Sequence, residues 1–212
     1  MKTTLFLVAA ALSVACSPPP PPETANQPVI LRPLEKLAGE EIVVLPVQYL
    51  SSTDSLGWYA QIRDRSAFLA QLDQQIEAAL TARGLGQTWT FGPEIARASK
   101  VNSIVMRDAR SLSAEWLRGR IEASDDPMRE PLASQLRGLV GLKGQRYAIL
   151  PVELRLENNA GMGVAKLRVL MIDARMTHIK WVGEVQSVPM KTLSPALIAS
   201  VATHFADLVV AP

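Results

Sequence analysis

Side chains able to do chemistry are sparse in this chain and poorly spaced for it. There are two histidines, His178 and His204, and one cysteine, Cys16. A metal site needs three or four Cys, His or carboxylate ligands at set spacing, and neither histidine has a second one near it. No metal-ligating set is expected. His178 falls in a predicted turn, and His204 on the last predicted helix at the rim of its face. No Gly-x-Ser-x-Gly elbow, no Ser-x-x-Lys motif with its companions and no phosphate-cradling glycine loop occurs. Gly161-Met162-Gly163 lacks a third glycine and lies in a predicted hairpin turn, so a nucleotide is not expected there. Asp125-Asp126, between Ser124 and Pro127, reads as a solvated loop and not as a carboxylate pair. The residues predict no catalytic group, no cofactor and no enzyme.

One stretch stands out by charge. Arg107, Arg110, Arg118, Arg120, Arg129 and Arg137 fall within 31 residues, with Trp116 among them. They form either a surface for anionic lipid, glycan or an acidic partner, or solvated helix faces beside Asp108, Glu115, Glu122 and Asp125. The second reading is favoured, and the stretch is still the first place to look for recognition. The whole chain carries 22 Lys plus Arg against 20 Asp plus Glu. Nucleic-acid binding calls for a concentrated basic face, so it is not expected.

The amino terminus has its own chemistry. Lys2 precedes the apolar run Leu5–Leu12, which is a signal-peptide core too short to stay in a bilayer as a helix. The run closes on Leu12-Ser13-Val14-Ala15-Cys16. These residues resemble the lipobox of bacterial lipoproteins, which implies cleavage after Ala15 and lipid attachment at Cys16; the alternative is an ordinary secretory signal that happens to hold a cysteine. Loss of Lys2 with the signal leaves 21 cationic against 20 anionic side chains. Being the only cysteine, Cys16 has no partner for a disulfide within the chain. Each buried methylene contributes roughly 0.8 kcal/mol, so two or three acyl chains anchor a protein firmly. Ser17 follows where the lipobox resemblance associates aspartate with inner-membrane retention. In a cell with two membranes, that implies the outer membrane, with the protein facing the periplasm.

Pro18–Pro22 adopts neither helix nor sheet and favours extended polyproline II. Residues 16–33 are therefore expected to be a lipidated, semi-rigid spacer, with a ligand for a proline-reading module as the lesser alternative. The remaining residues, 34–212, have the composition and length of one domain with a real core.

Hydrophobic periodicity then places the elements. Glu41–Val47 reads as a buried strand with Pro46 near its end. Leu69, Leu72, Ile76, Ala79 and Leu80 share one face of a helix that begins at Ser66 and stops at Gly84. Thr88–Phe91 reads as a second strand, and Gly92-Pro93 opens another helix. Residues 94–142 are expected to be helical in two or three pieces, broken near Gly119 and at Asp125–Pro127. Val152, Leu154 and Leu156 alternate with Glu153, Arg155 and Glu157. Beyond an Asn/Gly-rich turn, Ala165, Leu167, Val169 and Met171 alternate with Lys166, Arg168 and Leu170. That is a hairpin with one wet face. A third strand carries Ile179, Trp181 and Val185, and Ser194-Pro195 caps a closing helix. The fold class is α/β: a single domain with a mixed sheet, a C-terminal three-stranded antiparallel meander and amphipathic helices over it. Val44-Leu45-Pro46-Val47 is echoed by Ile149-Leu150-Pro151-Val152, as two central strands under similar steric demands.

This order resembles a group of envelope proteins. It includes the curli secretion-channel lipoprotein, the amino-terminal domain of the Tol-system β-propeller protein and the lipoprotein activators of penicillin-binding proteins. The resemblance is carried by the strand at 42–47, the helix ending at Gly84 and the strand after Arg146-Tyr147. It extends to the turn Asp173–His178 leading into Ile179-Lys180-Trp181-Val182-Gly183. It implies a non-enzymatic interaction domain that docks on an envelope protein as an accessory subunit of an assembly or secretion system. The alternative is a carrier or sensor with a small apolar ligand or a glycan in a cleft beside the meander.

Overall fold

The computed structural model describes residues 32–103, 106–119 and 126–212. Cys16, the signal and the spacer up to position 31 lie outside the described residues, as do Arg120, Glu122 and Asp125.

Among the described residues, five strands form one sheet. β1 (Ile42–Val44) and β2 (Tyr49–Leu50) run parallel to β3 (Tyr147–Asn159), and β3 continues antiparallel through β4 (Met162–Asp173) to β5 (His178–Gln186). The meander and the mixed sheet are those expected from the alternating runs. The β3–β4 turn puts Ala160 at φ 51° and Gly161 at φ 83°. Two positive φ values make a two-residue turn whose twist matches the strands, and glycine takes that conformation without strain.

Both faces of the sheet are covered. On one face lie α2 (Arg65–Ala82) and α5 (Pro195–Asp207), with Leu72, Ile76, Leu80, Val201 and Phe205 packed on Ile42, Val44, Ile149, Leu154 and Leu167. Asp64 caps α2, accepting a hydrogen bond from Ala67 N at 2.8 Å, so the helix starts one residue before the serine expected to open it. A short α1 (Trp58–Gln61) precedes it. On the other face Ile95 of α3 (Gly92–Val101), Leu112 and Leu117 of the connecting loop, and Leu132, Leu136 and Leu139 of α4 (Leu132–Gly141) cover Val43, Leu45, Ala148, Leu150, Val152 and Ile172.

Three expectations change. Thr88–Phe91 does not form a strand: Thr90 alone bridges Val43, donating to Ile42 O and accepting from Val44 N. Thr88 N and Trp89 N donate back to Leu85 O in the 3-10 turn, and Phe91 O accepts from Glu94 and Ile95 at the start of α3, which leaves Thr90 to pair. Second, the described residues between α3 and α4 are mostly irregular, with one 3-10 turn among them at Glu115–Arg118. Their backbone is satisfied partly by short turns and partly by side chains, which accept from Ala109, Arg110, Leu112 and Ser113 N.

Third, Glu153 points inward. It is 4% exposed, and Val152 packs on the face opposite Leu154 and Leu156. Pro151 pairs with Val169 and Glu153 with Arg168, so Val152 is one residue too many. This β-bulge turns Val152 and Glu153 toward the same face, where the loop before α4 covers both. The wet face begins only at Arg155. There Arg155–Glu184 (2.7 Å), Lys166–Glu157 (2.7 Å) and Arg155–Glu157 (3.0 Å) form a ladder of half-buried ion pairs across β3, β4 and β5.

Candidate functional site

In the arginine-rich stretch, most of the described cations turn inward or onto their own loop. Arg110 meets Asp73 of α2 at 2.6 Å. Arg118 donates from Nε to Glu153 Oε1 at 2.8 Å and lies over the Tyr49 ring. Arg129 stacks on Trp116, Arg107 donates to Ser111 O, and Arg137 reaches Glu130 at 3.1 Å. From β4, Arg168 donates to Leu117 O and Arg118 O, capping the 3-10 turn that carries Trp116. Arg137 pairs with Glu130, an acid outside the set expected beside these arginines. The buried partners Asp73 and Glu153 come instead from α2 and β3.

Behind these pairs lies a buried polar knot at the β1–β2 break. Pro46 supplies no N–H, and Val47 N donates to Asp73 Oδ1 at 2.8 Å. Gln48 donates from Nε2 to Pro46 O and Ala109 O, and accepts from Leu112 N at Oε1. Ser99 Oγ accepts from Ala109 N, and Tyr49 Oη donates to Leu112 O. Loop 106–114 is thereby held like a missing secondary-structure element. Burial pushes the Asp73 carboxyl up from its ordinary 3.8 to about 6, against the lowering influence of Val47 N–H and Arg110. Nothing in local periodicity marks Asp73, since it sits within the apolar face of α2; a lone acid among Leu69, Leu72 and Ile76 is the one signal it leaves.

The histidines stay apart. His178 opens β5 and bridges Pro127, whereas His204 on α5 faces Gln186 O with Nδ1 at 2.5 Å. That oxygen only accepts, so Nδ1 carries the proton. Gly161-Met162-Gly163 is a hairpin turn and strand start, and Asp126 O accepts from Ile179 N.

The surface opens at the sheet end where β1, β3 and β5 begin. A cleft of about 360 Å³ lies between α4, the turn at Gly144-Gln145 and the β4–β5 turn, with Arg137 and Arg175 in its wall. Leu142, 38% exposed, follows lining residue Gly141; Met176, 56% exposed, follows lining residue Arg175. The turn bearing Met176 is pinned. Its N donates to Asp173 Oδ1 at 3.0 Å, while Asp173 Oδ2 accepts from Arg146 Nε and Nη2 at 2.8 and 2.6 Å. Burial raises the Asp173 pKa, but these hydrogen bonds outweigh it and hold the carboxyl below the usual range. Sequence reasoning missed this cleft because its walls come from two distant stretches, 137–145 and 174–175, and two exposed apolar residues look ordinary along the chain.

No family model matches the sequence, and no curated protein matches it. Solved structures of similar course include the PelC dodecamer from Paraburkholderia phytofirmans, at 8% identity, TM-score 0.41, covering 82% of this chain and 91% of that one. Others are E. coli LpoB, at 14% identity, TM-score 0.38, covering 86% and 84%, and the lipoprotein GNA1162 from Neisseria meningitidis, at 12%, 0.29, 68% and 77%. A lipoprotein thus stands among the structures it resembles, while likeness at this level transfers no residue, partner or activity to this chain.

Proposed function

We propose that this protein is a lipid-anchored interaction module of the bacterial envelope. Cys16 carries the lipid after removal of residues 1–15, and residues 16–33 space the domain, 34–212, from the outer membrane on its periplasmic side. The domain acts as an accessory subunit of an assembly or secretion system and does no chemistry itself.

The observation that carries this reading is Met176. An apolar side chain 56% exposed on a turn fixed by Asp173 and Arg146 offers a partner an apolar contact already set in place. The buried ionisable groups support the same reading, since Asp73, Glu153 and Asp173 each serve to hold one segment onto another. The lipid assignment rests on the residues before Cys16 and the proline run after it. Mass spectrometry of the mature amino terminus and pulldown from detergent-solubilised native envelope test both halves. A diacylated or triacylated Cys16 and a stoichiometric protein partner are expected. An unacylated residue 16 refutes the anchor, and recovery of the chain alone refutes the accessory-subunit role.

A further inference from the structure

We propose that the cleft between α4 and the β4–β5 turn docks an extended acidic segment of a partner protein, one that carries apolar side chains between its carboxylates. The inference rests on the interaction-module reading and names the chemistry of its partner. Three features of the cleft argue for it.

Charge comes first. The lining residues include Arg137 and Arg175 and no acidic side chain. Arg175 makes no ion pair among the described residues, and the Arg137–Glu130 pair is exposed at both ends, 51% and 60%. Exposed pairs of this kind contribute little, so Arg137 is cheaply redirected to an incoming carboxylate. A planar guanidinium matches a carboxylate through two parallel N–H donors.

Apolar surface comes second. Of the four large apolar residues exposed among the described residues, Leu142 and Met176 each directly follow a residue of the cleft wall. A small anion meeting Arg137 or Arg175 makes use of neither apolar side chain. An extended peptide covers them with alternate side chains while its carboxylates meet Arg137 and Arg175. Methionine's flexible thioether suits an apolar contact of variable shape.

Rigidity comes third. The Asp173 carboxylate ties Arg146 at the start of β3 to the backbone of Met176, and Thr177 holds φ at 57°. The turn is preset, so little conformational freedom is lost on docking.

The test uses the full chain purified in neutral detergent and fluorescein-labelled peptides read by anisotropy. The acidic probe is Glu-Leu-Asp-Phe-Glu, the reversed-charge control is Lys-Leu-Lys-Phe-Lys, and trigalacturonate and inorganic phosphate are competitors. The acidic peptide is expected to bind saturably and the lysine peptide not to bind. Arg175→Glu should weaken the acidic peptide about tenfold or more and admit the lysine peptide, and Met176→Ser should weaken it several-fold. Both positions are exposed, so thermal unfolding of the variants should match the parent. Absence of saturable acidic-peptide binding overturns the proposal, as does binding unchanged by both variants. Stronger binding of trigalacturonate or phosphate than of the peptide also overturns it, in favour of a glycan or phosphate site. A native-envelope partner that survives Arg175→Glu leaves the module reading standing and removes this cleft as its dock.

Discussion

Asp73 makes the stability of this fold depend on pH in a direction opposite to most paired carboxylates. Its folded-state pKa is raised from 3.8 to about 6, chiefly by burial. Between those values the native state binds the proton and the unfolded chain releases it. Stability therefore falls as pH rises through the window, with no penalty below about pH 4 and the full penalty above about pH 6. A shift of about two units at 1.36 kcal/mol per unit amounts to about 3 kcal/mol. Urea unfolding of the parent and of Asp73→Asn at pH 4, 5, 6 and 7 measures it. Asparagine still accepts from Val47 N and carries no charge, so its constant offset cancels from the slope. The variant should gain about 3 kcal/mol on the parent across the window. Arg110→Gln, which removes the cation at 2.6 Å, should move the parent's window to higher pH. A pH-independent difference between parent and Asp73→Asn refutes the reasoning. A difference of opposite sign means that Arg110 and Val47 N–H outweigh desolvation.

Glu153→Ala leaves Arg118, 40% exposed, without its partner, and should cost about 1–3 kcal/mol in chemical denaturation; Arg155→Ala, in the half-buried ladder, should cost about 1 kcal/mol. Leu154→Ala should cost about 2–5 kcal/mol by the same measurement, since the side chain is fully packed against the α2–α5 layer. At Gly163 an added Cβ would clash with the Trp58 indole. Gly163→Ala should therefore cost about 1–3 kcal/mol and red-shift tryptophan fluorescence as the ring is pushed out.

The meander and the two long helices were legible because each carries one apolar stripe at its own period, and Val164–Asp173 or Leu69–Leu80 leave little choice of face. Glu153 was misread for an identifiable reason. The alternation of residues 152–157 implies one wet face, yet Ala148 to Val152 is apolar without a break. An unbroken run marks a strand buried on both sides. The change from one regime to the other occurs at the bulge, and its single extra residue reverses which neighbours share a face. The loop over that second face was illegible because it satisfies its backbone through Gln48, Ser99 and Gln135, residues far from it in sequence. Periodicity reports only local bonding.

The echo between Val44-Leu45-Pro46-Val47 and Ile149-Leu150-Pro151-Val152 has a structural cause that ties these observations together. Val44 pairs with Ile149 in the parallel register, so the two segments lie side by side with the prolines at equivalent positions. Neither proline donates to a ladder, and both strands lose register there. Five steps from Val44 to Tyr49 face four from Ile149 to Glu153, and two steps from Pro151 to Glu153 face one on β4. The slip leaves Val47 N without a strand acceptor, and Asp73 reaches in from α2 to accept from it. A buried carboxylate then favours a cation, and Arg110 supplies it from the loop before α4. On β3 the matching slip turns Glu153 inward, where Arg118 of the same loop meets it. Two prolines, each costly inside a sheet, thus create the two buried acids that fasten the irregular segment 106–118 over the second face. That segment leads through Trp116 into α4, and the end of α4 builds one wall of the cleft beside Arg175. The break in the strands is what lets a loop with little secondary structure of its own hold that wall in place.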